Sequence, residues 1–164
     1  MNDGSIIIHG SSGDATGYAM RGGKIFVRDN AGYRAGIHMK AYEDKIPVLV
    51  IGGKAGSFLG EYQAGGIIIV LGINCDKNTP PVGHFCGTGM HGGKIYICTE
   101  KLPLNLPAQV SAKKATSDDI DEIKDLLKEY CGNFDYDISN IINKSFYVLT
   151  PNSQNPYKRL YTNN

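Results

Sequence analysis

The chain has 164 residues, of which 41% are hydrophobic and 20% charged, and its formal net charge is +1. So balanced a charge argues against nucleic acid or an anionic membrane as the main partner, because both require a concentrated positive field. The first residues lack a signal-peptide pattern and no apolar run approaches the roughly 20 residues that span a bilayer, so we expect a single cytoplasmic domain.

A glycine-spaced repeat organises the first hundred residues. An aliphatic run at residues 5–10 predicts a first strand, and four copies of the unit G-x3-G-x4-G-G follow it, each leading to another strand. The second copy has Ala41 in place of its glycine pair and resumes at Pro47 after an insertion. The glycines of the pattern, which we interpret as structural, are Gly13, Gly17, Gly22, Gly23, Gly32, Gly36, Gly56, Gly60, Gly65, Gly66, Gly83, Gly87, Gly92 and Gly93.

The spacing of the strands predicts the fold class. The strands end at Ile8, Val27, Ile51, Val70 and Ile97, which are separated by 19, 24, 19 and 27 residues. The two longer intervals contain insertions at residues 41–46 and 74–82. A period near 20 residues with one short strand per period is typical of a solenoid. We therefore expect an all-β solenoid over residues 1–100: a right-handed parallel β-helix of stacked coils of about 19 residues, with a C-terminal helix and an irregular tail in residues 101–164.

Alternation along the strands predicts one buried face and one outward face. The five strand-end residues are expected to form a buried column. Met20, Met39 and Met90 line up in a second column, and we expect them to fill the core beside the first. On the other face, apolar side chains form a row that we interpret as a candidate partner interface together with three residues of the tail. These residues are Phe26, Ile67, Ile69, Tyr96, Tyr157, Arg159 and Tyr161.

The second part of the chain contains a connector, an amphipathic helix, a strand and a tail, expected to pack on the β-helix or on partners. Thr116 and Asp119 fit the capping-box pattern at the start of the helix. The apolar residues at helical spacing are Ile120, Ile123, Leu126, Leu127 and Tyr130. Gly132 is expected to end the helix. Residues 145–150 predict a strand, and residues 151–161 an irregular tail.

No pattern in the sequence predicts an active site, a cofactor site or a metal site. Residues 87–92 match GxGxxG, but a dinucleotide site needs a strand before the motif and a helix after it, and a strand follows here. The cysteines are too widely spaced for a CxxC motif, and the histidines show no ligand spacing. These residues are Cys75, Cys86, Cys98, Cys131, His9, His38, His84 and His91.

Residues 13–40, 47–72 and 87–97 closely resemble the C-terminal GXGXG domain of the glutamate synthase large subunit. The resemblance covers roughly residues 3–99. The proline-containing link, the acidic helix and residues 156–161 are similar to the version that occurs as a separate chain. The repeat also has a more distant resemblance to the formylmethanofuran dehydrogenase component that carries a similar glycine coil.

The resemblance implies a non-catalytic scaffold between a glutamine amidotransferase and a synthase barrel, which together convert glutamine and 2-oxoglutarate to glutamate. It implies that FMN and an iron–sulfur cluster belong to partner subunits, and that this chain has no catalytic, cofactor-binding or metal-ligating residues. Two alternatives stay open: a free-standing β-helix enzyme, and an assembly subunit of another oxidoreductase resembling formylmethanofuran dehydrogenase. Self-association of the isolated chain also stays open.

Overall fold

Short runs rich in β-branched and aromatic residues form one seven-stranded sheet in the computed structural model, which describes residues 1–152. The strands are β1 (Ser5–Ile8), β2 (Lys24–Val27), β3 (Val48–Ile51), β4 (Ala64–Val70), β5 (Gly92–Cys98), β6 (Val110–Lys114) and β7 (Phe146–Pro151). Helices α1 (Ser117–Phe134) and α2 (Ser139–Ile142) lie between β6 and β7 in the chain. Across the sheet the order is β1-β2-β3-β4-β5-β7-β6.

Strands β1 to β5 are parallel, and their register is the one that the repeat predicts. Ile8 pairs with Val27, and the same column continues through Ile51, Val70 and Ile97. The last four side chains are fully buried, whereas Ile8 is partly exposed. The predicted stacking is confirmed, and Ile8 is less buried because β1 is the edge strand of the sheet.

The predicted fold class, an all-β right-handed β-helix, is wrong. Strand β7 pairs antiparallel with both β5 and β6, and the 18-residue helix α1 packs on the sheet, so the fold is a mixed, mostly parallel α/β sheet. The glycine repeat ends within β5 and carries no information about the strands that follow it. Strand β6 was not predicted, because its sequence VSAKK lacks a continuous apolar pattern and three of its five residues are exposed.

The sheet separates two apolar cores. One lies between the sheet and the loops that connect the parallel strands, and it contains Met20, Met39 and Met90, each at most 1% exposed. This confirms that the methionine column fills the core. The other lies between the opposite face of the sheet and α1, whose contribution to it includes Ile123 and Leu127.

Helix α1 covers the apolar row of the sheet that strand alternation predicts to face outward. Phe26, Ile69 and Tyr96 are completely buried, and Ile67 is partly buried against the same cluster. The expectation that this row is exposed and available to a partner is therefore wrong: a helix of the same chain occupies the face. The remaining members of the predicted interface, Tyr157, Arg159 and Tyr161, lie outside the described residues.

Polar contacts at the rim of this core attach α1 to the sheet. Lys24 forms an ion pair with Glu129, and Lys94 forms one with Glu122. The Tyr96 hydroxyl donates to the Glu122 carboxylate at 2.9 Å. Because both ion pairs are partly exposed, each contributes little, about 0–1 kcal/mol. The apolar cluster beneath them is the main stabilising contact.

The start of α1 is as predicted, but its end is not. Thr116 Oγ1 accepts from the Asp119 N–H at 3.3 Å, and the Asp119 carboxylate accepts from the Thr116 N–H at 2.9 Å, which completes the capping box. The Thr116 N–H, with Lys113, holds the pKa of Asp119 below its ordinary value. The helix continues past Gly132 to Phe134, and Asp135 ends it at a left-handed φ of 59°. The prediction that Gly132 ends the helix is wrong because aspartate also tolerates this conformation.

Candidate partner-binding surface

The loops that connect the parallel strands stack on one another in the same way as the strands. The N–H of Ala15 donates to the Tyr33 carbonyl at 2.8 Å, and the N–H of Tyr62 donates to the Thr88 carbonyl at 2.8 Å. Equivalent residues of successive loops consequently form columns at the surface. This face lies on the opposite side of the sheet from α1, across the core that contains the methionines.

Two surface columns consist of residues in the left-handed conformation. The first contains Ala15, Arg34, Phe58 and Phe85, with φ between 53° and 61°. The second contains Ala19, His38, Tyr62 and Gly89, with φ between 52° and 69°. A residue with a Cβ loses roughly 1–2 kcal/mol in this conformation. Through it, the first three residues of each column donate their N–H to the next loop, and these bonds offset the strain.

The glycines of the repeat occupy two kinds of position. One group has a left-handed φ: Gly17, Gly23, Gly36, Gly60, Gly66, Gly87 and Gly93. The other has an ordinary φ but lies against the backbone or side chain of a neighbouring turn: Gly22, Gly32, Gly56, Gly65, Gly83 and Gly92. A Cβ on Gly56 would lie 2.8 Å from the Gly32 carbonyl carbon. Gly13, in the first loop of the stack, has no atom of residues 1–152 within 4 Å of the Cβ position.

Replacing Ala19 by glycine is expected to stabilise the protein by up to about 1 kcal/mol. The change relieves roughly 1–2 kcal/mol of left-handed strain in the folded state. It also raises the conformational entropy of the unfolded chain, which opposes folding by only roughly 0.4–1 kcal/mol. Gly89 already occupies the equivalent position of the fourth loop. Urea unfolding followed by circular dichroism measures the change. The control is Ala108→Gly, at an exposed position without positive φ, which should destabilise slightly. Equal effects at both positions would contradict the strain argument.

Aromatic side chains on and beside these columns form what we call the aromatic loop surface, and all of them are exposed except Phe58, which is partly buried. Its members are Tyr18, Tyr33, His38, Phe58, Tyr62 and Phe85. The His38 ring stacks on Tyr62 with centroids 5.2 Å apart, and Phe58 stacks on Phe85 at 5.3 Å. Tyr18, which is 62% exposed, makes an edge contact with His38. Exposed apolar groups that lie together mark an interaction site more often than isolated ones.

An ion pair holds this surface in place. Arg34 Nε donates to the Glu61 carboxylate at 2.9 Å, and the guanidinium carbon lies 5.0 Å from the centre of the Phe58 ring. Glu61 is only 9% exposed, so Arg34 has a fixed and partly buried partner. Stacked rings and a paired arginine are already ordered before binding, which reduces the conformational entropy that a partner complex costs. Aromatic and arginine side chains are also the residues that most often dominate interface energies.

The aromatic loop surface was not predicted from the sequence, although a signal for it was present. Aligning the four copies places Phe58 and Phe85 at one repeat position, and His38 and Tyr62 at another. Aromatic residues at equivalent positions of a repeat with stacked strands lie side by side. The glycines and methionines of the same alignment indicate the core and not this surface.

The cysteines are not activated as nucleophiles. Burial raises the pKa of Cys86 to about 12 and that of Cys98 to about 11, and it also raises those of Cys75 and Cys131. The thiolate, which is the reactive and metal-binding form, is therefore disfavoured at neutral pH. Cys75 and Cys98 line a cleft of about 190 Å³ beside the second insertion. Residues 1–152 contain no group of three or more His, Cys, Asp or Glu side chains placed to hold a metal ion.

The GxGxxG match at residues 87–92 leads directly into β5, which begins at Gly92. Gly87 and Gly89 have left-handed φ, and Met90 is buried in the core between them and the strand. The helix N-terminus that a dinucleotide site needs does not follow the motif. In the described part of the chain, neither helix has the length and apolar character to cross a membrane.

Comparison with known proteins agrees with the repeat. The uncharacterized protein MJ1350 of Methanocaldococcus jannaschii is 50% identical over 138 residues, which cover 81% of this chain and 53% of that protein. The chain thus spans about half the length of this curated relative. The family model for the GXGXG motif matches residues 1–153. With nearly the whole chain matched, the protein belongs to the GXGXG motif family, to which the GXGXG domain of glutamate synthase also belongs.

Proposed function

We propose that this chain is a non-catalytic scaffold in a glutamate synthase-type complex, where it contacts a glutamine amidotransferase module and a synthase module that carries FMN and an iron–sulfur cluster. Membership of the GXGXG family supports the relation to glutamate synthase. The observation that carries the scaffold role is the aromatic loop surface, which is largely apolar, mostly exposed and held by stacking and an ion pair. In this proposal the partners supply all of the chemistry, and this chain sets their separation.

The fold is suited to a scaffold that holds two modules at a fixed separation. The five parallel strands are linked by both strand and loop hydrogen bonds, so neighbouring turns move together. With strands about 4.8 Å apart, five strands extend over roughly 19 Å. A rigid element of this size keeps a site that releases ammonia at a constant distance from a site that consumes it.

Co-expression with the two modules tests the proposal, with gel filtration and glutamine-dependent glutamate formation as the measurements. We expect the wild-type chain to co-elute with its partners. Tyr62→Asp should weaken the association by roughly tenfold or more, because it removes a 46% exposed ring from the aromatic loop surface and places a charge there. The matched control is Tyr42→Asp, a 56% exposed tyrosine in the first insertion, outside that surface.

Three outcomes would contradict the proposal. If the modules assemble and couple ammonia release to glutamate formation without this chain, it is not their scaffold. Co-elution with the subunits of a different oxidoreductase, but not with these modules, would support the alternative role as another assembly subunit. If Tyr62→Asp and Tyr42→Asp bind equally well, the aromatic loop surface is not the contact. Ile69 is unsuitable for this experiment, because a charge at that buried position would unfold the core.

A further inference from the structure

Strand β1 is an open and uncharged edge. Within residues 1–152 it pairs only with β2, and its side chains Ile6 and Ile7 are 46% and 43% exposed. The opposite edge, β6, carries Lys113 and Lys114, and edge lysines discourage pairing with another strand. β1 has no such protection along Ser5–Ile8, where outward backbone groups lie beside exposed aliphatic side chains on both faces of the sheet.

The parallel pairing with β2 determines which backbone groups of β1 are free. The N–H groups of Lys24 and Arg28 donate to the carbonyls of Gly4 and Ile8, each at 2.9 Å. Inward-facing and outward-facing residues alternate along a strand in a parallel ladder. Ser5 and Ile7 therefore direct their N–H and C=O groups away from β2, towards the open edge.

We propose that two copies of this chain pair through β1, antiparallel, about a two-fold axis at Ile6. In this register Ser5 of each copy faces Ile7 of the other, so the outward N–H and C=O groups of both residues form hydrogen-bonded pairs. Ile6 meets Ile6 of the second copy on the face of the methionine-containing core. The contact uses the same surface on both copies, so it closes as a dimer.

Complementary polar side chains at the two ends of β1 favour this partner and this register. Antiparallel pairing about Ile6 brings the Asp3 end of each strand beside the His9 end of the other, so the same acid–imidazole contact forms twice. Both residues are exposed, and the Asp3 side chain is 83% exposed even though Lys45 lies 3.4 Å away. A two-fold axis at Ile7 would also pair outward backbone groups of the two strands. In that register, however, Asp3 of one copy would no longer lie beside His9 of the other. A second copy thus places an imidazole beside each Asp3 carboxylate at this edge.

Sedimentation velocity of the full chain over a concentration series tests the proposal. We expect a species of twice the 17.8 kDa chain mass to accumulate as concentration rises. Ile7→Pro removes one outward N–H per copy and places a ring at the edge, yet it leaves the bonds to β2 intact, and proline is tolerated on edge strands. This variant should associate roughly tenfold or more weakly. Ile7→Thr keeps the N–H and is the matched control.

A charge exchange checks the register by an independent route. His9→Asp places two acids together at both ends of the contact and should weaken association, whereas Asp3→His with His9→Asp should restore it. Hydrogen exchange should show the Ser5 and Ile7 amides becoming protected as concentration rises, which decides the question even if Ile7→Pro fails to fold. A wild-type chain that stays monomeric, a folded Ile7→Pro variant that dimerises normally, or amides that stay unprotected would each overturn the proposal.

Discussion

Replacing Gly66 with alanine is expected to destabilise the protein by roughly 2–5 kcal/mol. Gly66 has a φ of +86°, and an added Cβ would lie 2.6 Å from the carbonyl oxygen of Pro47. The left-handed conformation accounts for about 1–2 kcal/mol, and displacement of the neighbouring backbone accounts for the rest. Urea unfolding monitored by circular dichroism measures the loss as a lower midpoint with an unchanged slope.

Two other glycines separate these contributions. Gly4 has a φ of +83°, and no atom of the described residues lies within 4 Å of its Cβ position, so Gly4→Ala should cost only the conformational strain, about 1–2 kcal/mol. Gly132 lies in α1 with ordinary φ, and its Cβ position is free of contacts within the described part of the chain, so Gly132→Ala should stabilise the helix by up to about 1 kcal/mol. If Gly66→Ala costs no more than Gly4→Ala, the close approach to Pro47 is not a constraint. If both changes are neutral, these glycines have a role outside the fold.

Leu127→Ala is expected to destabilise the protein by about 2–5 kcal/mol, because it leaves a cavity in the core between α1 and the sheet. Leu127 is fully buried in the same cluster as Phe26 and Tyr96. Loss of the contact should also expose those aromatic side chains, so binding of an apolar dye should rise along with the loss of stability. Chemical unfolding and dye fluorescence, measured on the same samples, provide the two readouts.

The matched control for this change lies on the same helix. Lys124 is exposed on α1, so Lys124→Ala should change stability by no more than about 0.5 kcal/mol. Similar results for Leu127→Ala and Lys124→Ala would mean that α1 does not hold the sheet face, and the burial of Phe26 and Tyr96 would need another explanation.

Local patterns were sufficient for the parallel half of the fold. A strand of four aliphatic residues, repeated after similar intervals, places Val27, Ile51 and Val70 in one column whatever follows in the chain, because side chains alternate along each strand. The start of α1 was equally predictable, since the capping box of Thr116 and Asp119 involves neighbouring residues. These features depend on contacts between residues that are close in sequence or equivalent in the repeat.

The aromatic loop surface could be predicted only in part from the sequence, and the rest depended on the tertiary structure. Repeat alignment identifies which aromatic side chains share a column, such as Phe58 and Phe85. Phe85 is 44% exposed and Phe58 is partly buried, and both have the left-handed backbone through which Phe58 donates its N–H to the His84 carbonyl. Bulky residues rarely adopt this conformation, so nothing in the local sequence of Tyr62 indicates it.

Only the tertiary structure decided what covers the outer face of the sheet. The apolar row that includes Phe26 and Tyr96 has to be buried, and the sequence shows this need without showing whether a partner or the same chain meets it. The chain itself covers the row. Strand β7 pairs between β5 and β6, and α1, which lies between β6 and β7 in the chain, packs across that face. An apolar pattern specifies burial but not the identity of the covering group, since hydrophobic contact is non-directional.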